Sequence, residues 1–222
     1  MDPLASGLLL VCVGKATKQI ERLQSGVKEY SGTMVLGATT PCFDLERAID
    51  TYYPYSHITP EAIEQARQQF IGEIEQVPPI FSAVKVDGQR AYMSARDEKE
   101  LEISAKKVTI YDFVITAFRP GKNAENDNPT QNLKSPDQKS THLYLNPLGS
   151  VPEGLPQLDF KVTCSKGTYI RSLARDMGAA LDSGAFLSAL RRERIDDYSV
   201  ENAIQLDDIE SNITPTSLAL DC

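Results

Sequence analysis

Two residues at opposite ends of the sequence, Asp2 and Arg171, could do chemistry together. Arg171 follows a stretch in which Phe160, Val162 and Cys164 alternate with Lys161, Thr163 and Ser165, the period of a half-buried strand. Gly167 breaks that strand, and Thr168 is suited to cap a helix. Ile170, Leu173, Ala174, Met177 and Leu181 then recur at helical spacing and predict one apolar face. Arg171 falls about 100° round the helix from Ile170, so the spacing predicts a half-buried guanidinium in the first turn. The helix dipole disfavours a cation at that end. Arg171 therefore needs an anionic partner, and we read Asp2 as that partner and the pair as the working centre of an enzyme. A carboxylate in a partly dry cleft needs a fixed cation to stay charged, and such a carboxylate can act as nucleophile, base or electrostatic partner.

The elements that must position this pair belong to an ordinary globular chain. Of its 222 residues 41% are hydrophobic and 24% charged, enough for a real core in one large domain or two small ones. The longest apolar run, Leu8 to Val13, is too short to span a bilayer and lacks a basic leader. Cys12, Cys42, Cys164 and Cys222 stand far apart and read as free thiols, and two histidines give little scope for a metal site or a serine triad. No metal and no membrane partner are expected. The net charge of −8 argues against nucleic acid until it is divided along the chain. Lys161 to Arg194 carries seven basic and three acidic residues, whereas Ile195 to Cys222 carries seven acidic and none basic. Positive charge thus collects around the strand and helix of Arg171, as a basic cleft in an acidic protein would have it. Scatter accounts for the same counts about as well.

In chain order, Asp2-Pro3 reads as a turn with Asp2 in extended backbone. A short helix with Ala16, Ile20 and Leu23 on one face follows Gly14-Lys15. Gly7 is wrongly spaced for a phosphate loop there. Val27 to Gly37 alternates as a strand, with Lys28, Tyr30, Met34 and Leu36 on one side. Thr59-Pro60 caps and starts a helix whose buried face is Ile63, Ala66, Phe70, Ile71 and Ile74. The segment 82–107 is mixed in charge and reads as a protruding loop and short helix. Val108 to Phe118 reads as a long strand, Arg119 to about Ser140 as a disordered polar insertion, and Asn202 to Ile209 as a short helix.

Six motifs in order give a family resemblance. Asp2-Pro-Leu-Ala-Ser-Gly7, Gly14-Lys-Ala-Thr-Lys18, Lys28-Glu-Tyr30, Val77-Pro-Pro-Ile-Phe-Ser-Ala-Val-Lys85-Val-Asp-Gly88, Cys164-Ser-Lys-Gly-Thr-Tyr-Ile-Arg171 and Leu190-Arg-Arg192 together resemble the TruB-type tRNA pseudouridine synthases, from Asp2 to about Leu206. The resemblance implies an α+β fold: a mixed, largely antiparallel central sheet flanked by helices, in a single catalytic domain over 1–222. It implies isomerisation of uridine to pseudouridine at position 55 of the tRNA TΨC loop, by glycosidic bond cleavage and C–C bond formation, without a cofactor. It implies Asp2 as the catalytic aspartate, Arg171 as its partner, Tyr30 as the ring that stacks on the target uracil and whose hydroxyl serves a later proton transfer, and Leu190 as a wall beside the base. Lys28, Lys85, Lys166 and Tyr169 stand in the same motifs and are read as substrate-binding. Lys85, Arg90 and Arg96 fall in the family's RNA-gripping thumb, here 82–107, though a solvated loop accounts for them nearly as well. A monomer acting on the TΨC stem-loop is expected, beside a hollow that takes one extruded base.

The sequence departs from the family pattern in three places. The Gly-His-Thr-Gly-Thr-Leu run and the strand that ordinarily precede the aspartate are not in it, nor is the C-terminal RNA-binding domain of some relatives. The Thr-Asp motif after Gly37 is replaced by Ala38-Thr-Thr-Pro-Cys-Phe-Asp44, read as variation without catalytic cost. These departures keep a second function open, a tRNA-binding module or RNA chaperone with little turnover. A third is an α+β domain without an RNA role. The compartment is not legible.

Overall fold

The structure is a computed structural model that describes residues 2–79, 104–122 and 151–208, and the backbone of 85–86 and 89–90. In chain order the strands are β1 (Ser6–Gly7), β2 (Lys28–Leu36), β3 (Ala38–Thr39), β4 (Thr51–Tyr52), β5 (Gly72–Gln76), β6 (Lys85–Val86), β7 (Gln89–Arg90), β8 (Lys106–Arg119), β9 (Gln157–Cys164), β10 (Ala185–Ile195) and β11 (Tyr198–Ser199). The helices are α1 (Ile20–Ser25), α2 (Pro60–Gln68) and α3 (Ile170–Ala180), with 3-10 turns at Gly14–Gln19, Val200–Asn202 and Leu206–Asp208. Seven strands make one sheet in the order β1-β10-β2-β9-β8-β5, with β11 also on β10. Every pair in it is antiparallel except β1 with β10. The fold is therefore α+β with a mixed, mostly antiparallel sheet.

The alternation of β9 sets the layers. Leu158, Phe160, Val162 and Cys164 are buried, and the residues between them are not. Across the ladder, Tyr30 lies opposite Val162 and Arg192, and Gly32 opposite Phe160 and Leu190. A Cβ at Gly32 would stand 2.5 Å from the Ala189 carbonyl and 3.0 Å from the Phe160 ring, so only glycine fits. Ile170, Leu173, Ala174 and Met177 of α3, with Ile63 and Ala66 of α2, cover this face. Phe113 meets Phe160 edge to face at 5.9 Å and 85°. The other face carries Ser31, Thr33, Asp159, Lys161 and Arg191 at its centre. No helix of the described residues is long and apolar enough to cross a membrane.

Several elements differ from the sequence reading. Helix α2 stops at Gln68; Gly72 turns the chain with φ 96°, Ile71 is 42% exposed, and Ile74 belongs to β5, paired with Val108. Helical spacing had joined apolar residues that a glycine separates. The 14–25 segment is helical but buries no side chain, and Ile20 is 39% exposed. The sequence pattern predicts no element over 185–195, yet β10 pairs with β2 along its length. Register shifts between Leu187 and Ala189 and between Arg192 and Arg194 break its period of two. The expected helix from Asn202 to Ile209 is not continuous over its described part: 3-10 turns at Val200–Asn202 and Leu206–Asp208 are separated by irregular chain, and Ile209 lies outside the described residues. Strand β8 runs on to Arg119, which ion-pairs with Asp159, so the polar segment begins later than Arg119. Most of that insertion, from 123, lies outside the described residues, as does most of the 82–107 segment. Within the latter, β6 and β7 form an antiparallel ribbon and β8 already begins at Lys106.

Phe160→Ala removes the ring that packs on Phe113 and covers Gly32, and it should cost about 3–5 kcal/mol. Tyr111→Ala, on an exposed site of β8, should change stability by less than about 0.5 kcal/mol. Urea midpoints of the two variants check the contrast.

Candidate active site

Helix α3 is held at its first turn from outside. Its N-cap is Tyr169, whose side chain makes no cap bond; Thr168, the expected cap, instead donates to the Ser165 carbonyl at 3.0 Å. The Tyr169 N–H donates to Gln76 Oε1 at 2.8 Å, and Ser172 Oγ and Arg175 Nη2 donate to the Val77 carbonyl at 2.8 and 3.0 Å. The end of β5 thus fixes the turn that carries Arg171. The guanidinium is 4% exposed, more buried than the spacing suggested. Arg171 Nη2 donates to Asp2 Oδ1 at 2.8 Å. On its other arm Nη1 lies 3.3 Å from Asp44 Oδ2 and 3.3 Å from the Cys42 carbonyl. Two carboxylates from distant segments share one buried cation.

The loop that delivers Asp44 is tightly built. Phe43 takes φ 58°, its carbonyl accepts from Leu187 N at 2.9 Å, and its ring lies under Arg175 at 5.6 Å. Asp44 Oδ1 accepts from Glu46 N at 3.0 Å and the Asp44 carbonyl from Thr40 Oγ1 at 2.7 Å. Asp2 is the more open carboxylate, 29% exposed, against 6% for Asp44. Asp2, Leu4, Ala5, Asp44, Arg171 and Leu187 to Leu190 line one hollow. Its cavity volume is about 20 Å³, room for about one water and not the base-sized space expected.

Of the site residues read from sequence, Asp2, Arg171 and Leu190 line this hollow together. Tyr30 is on the same face of the sheet but outside the lining. Burial is the first cause that pushes its phenol pKa up; Cys164 and Asp2 add to it, and Arg192 opposes it through charge and a hydrogen bond. Lys28 turns back on its own segment, donating to the Gln24 and Gly26 carbonyls at 2.5 and 2.6 Å, and burial leads the causes that lower its pKa. Lys166 is exposed in the turn after β9, Tyr169 is half-buried at the α3 N-cap, and the Lys85 side chain lies outside the described residues. Asp44 was missed as a partner of Arg171. The available signal was an acidic residue close behind the apolar Met34–Leu36, facing a guanidinium with five N–H donors and one named acceptor.

Among the described residues, Cys42, Asp44 and Glu46 are the group whose donor atoms could approach a metal, all within 4.8 Å of one another. Arg171 occupies the neighbouring position beside Asp44. The Cys42 thiol is pushed up to about 11, first by burial and then by Asp44, so it is a thiol and not the thiolate that metals prefer.

Comparison with known proteins points one way. The model of the TruB family pseudouridylate synthase, N-terminal domain, matches residues 1–128. The chain is 45% identical to tRNA pseudouridine synthase B of Flavobacterium johnsoniae over 213 residues, 96% of this chain and 78% of that one. It is 40% identical to the protein of the same name from Thermobifida fusca over 219 residues, 99% of this chain and 66% of that one. Among solved structures, a chain of a Cbf5–Nop10–Gar1 complex superposes with TM-score 0.56 at 26% identity, covering 95% of this chain and 43% of that one. A chain of an H/ACA RNP bound to a substrate RNA containing 2'-deoxyuridine gives TM-score 0.54 at 21% identity, with 98% and 46% covered, and shows the shared fold alone. The present chain spans less than half the length of either solved chain.

The thiols make a check on the burial that shapes the site. Cys42 and Cys164 are buried with pKa values raised to about 11, while Cys12 is half-buried. Of these three, iodoacetamide at pH 8 should label Cys12 before the others and reach Cys42 and Cys164 only on unfolding, as read by peptide mass spectrometry.

Proposed function

The chain belongs to the TruB family of pseudouridylate synthases, and from that premise we propose that it isomerises a uridine of tRNA to pseudouridine, at position 55 of the TΨC loop. The observation that carries the residue roles is the 2.8 Å ion pair between the partly open Asp2 and the buried Arg171. The reaction breaks the bond between uracil N1 and the anomeric carbon, turns the base over and joins C5 to that carbon; the proton lost from C5 is balanced by one gained at N1, so the product is an isomer of the substrate. Asp2 is the carboxylate at the anomeric carbon, as nucleophile or electrostatic partner. Arg171 fixes its orientation and supplies its counter-charge in a site that closes over the substrate. Asp44 holds the far side of the guanidinium so that it cannot swing away from Asp2.

Tyr30 offers the extruded uracil a ring to stack on, and its hydroxyl takes part in the later transfer of the C5 proton. Leu190 and Leu187 supply an apolar wall. The base enters by displacing side chains at the mouth of the hollow, where Leu4 is 40% exposed. Exposed Lys15, Lys18, Arg22 and Lys166 offer phosphate contacts. No step in this scheme needs a cofactor, and the chain acts as a monomer in one catalytic domain.

Tritium release from a tRNA transcript labelled at uridine C5 tests the reading. Wild type should release tritium from the TΨC uridine. Asp2→Asn should release none while retaining salt-sensitive tRNA binding in a gel shift. Equal release from both proteins would sink the assignment of Asp2. Binding without release in wild type would leave the RNA-binding module as the better account.

A further inference from the structure

Strand β10 stands between the two segments that carry the acid and the phenol. On one side it pairs with β1, Gly7 lying opposite Arg192; on the other it pairs with β2, Tyr30 lying opposite the same Arg192. The β1 ladder is only two residues long, and a ladder that short has little stability of its own. Arg192 reinforces it twice. Its backbone carbonyl accepts from Leu8 N at 2.8 Å, and its side-chain Nε donates to the Leu8 carbonyl at 2.8 Å. Gly7 makes the approach possible: with φ 97°, a Cβ there would stand 2.3 Å from the Arg192 carbonyl. Arg192 stands directly opposite Tyr30 in the ladder, and its charge opposes the rise in the pKa of the phenol. The neighbouring arginines are engaged otherwise, Arg191 with Glu193 and Arg194 with Glu29.

We propose that Arg192 is a positioning residue for the isomerisation: it straps the Asp2 segment to the strand of Tyr30 and so sets the distance between carboxylate and phenol. Arg171 alone fixes only the tip of the Asp2 side chain. The backbone behind it, from Pro3 to Leu8, is anchored by the Asp2–Ala5 turn, the short β1 ladder and Arg192. A planar guanidinium can serve the carbonyl and the phenol at once; an ammonium at the end of a flexible chain does so poorly. The groups that bear on the phenol are then Arg192, Cys164 and Asp2, within its buried surroundings. This inference rests on the roles proposed above for Asp2 and Tyr30.

The test combines three measurements on the whole chain: single-turnover pseudouridine formation at saturating tRNA, tRNA affinity, and titration of Tyr30 by isotope-labelled tyrosine NMR assigned with Tyr30→Phe. Arg192→Gln should slow the single-turnover rate by about 100-fold, the loss typical of a small misplacement of reacting groups. Affinity should stay unchanged, the thermal midpoint should fall by only a few degrees with the lost Leu8 bond, and the Tyr30 titration should move to higher pH because the nearby cation is gone. Arg192→Lys should restore the titration more fully than the rate. Arg191→Gln, on the opposite face of the strand, should change neither. Unchanged Tyr30 titration in Arg192→Gln would overturn the strap. So would a loss confined to affinity, which would make Arg192 a phosphate contact. Should Arg192→Gln fail to fold, Arg192→Lys carries the comparison. If wild type isomerises nothing, the proposed function fails, but the NMR titration of the free protein still decides whether Arg192 holds the phenol.

Discussion

A buried guanidinium is the constraint on which this structure turns. Arg171 is out of water in the first turn of α3, where the helix dipole opposes a cation. A charge in that position costs several kcal/mol unless it is paired with good geometry. The fold meets the requirement with two carboxylates, Asp2 at 2.8 Å and Asp44 at 3.3 Å. Neither is near it in sequence, so satisfying Arg171 pins the N-terminal segment and the Thr40–Glu46 loop to the same helix. The division of exposure follows. Asp44 is enclosed by its own loop, while Asp2 keeps an open side toward the hollow.

The sheet makes that arrangement stiff. Strand β2 is central, and its apolar residues meet both β9 and β10. Helix α3 lies on the covered face, and the end of β5 grips its first turn through Gln76 and Val77. Arg171 therefore moves only if the helix moves. The hollow beside it is a different matter. It is bounded on one side by the short loop from Asp2 to Ala5, and its volume is far below that of a nucleobase. The cation is held rigidly, whereas the hollow beside it has that short loop as one of its walls.

Net charge alone misleads about the partner of such a protein. The acidic residues of Asp196 to Asp208 lie beyond β10, away from Arg171 in sequence, while Lys15, Lys18 and Arg22 are exposed on the α1 segment. Screening confines each group's field to roughly a Debye length, about 8–10 Å at ordinary ionic strength. An acidic chain can therefore meet phosphate with a local basic surface.

The sequence by itself determined the strand and helix around Arg171, the need of that arginine for an anion, the strand that carries Tyr30, and the family to which the motifs point. These were legible because period-two and helical spacing are local, and because a cation at a helix N-terminus is a local conflict. Tertiary structure alone decided the rest. Asp44 became a second partner only when its loop docked on β10; nothing near it in sequence announces that contact. Lys28, basic and in a matched motif, proved to bond its own backbone. Strand β10 was hidden by two register shifts, and Ile74 passed for helix because Gly72 separates it from α2 without disturbing the apolar spacing. Lys28 and Ile74 were decided within their own neighbourhoods; for Asp44 and β10 the reason is shared. Local spacing records which way a side chain points from its own element, whereas partners across a sheet are set by register, bulges and the closing of long loops, which no short window of sequence contains.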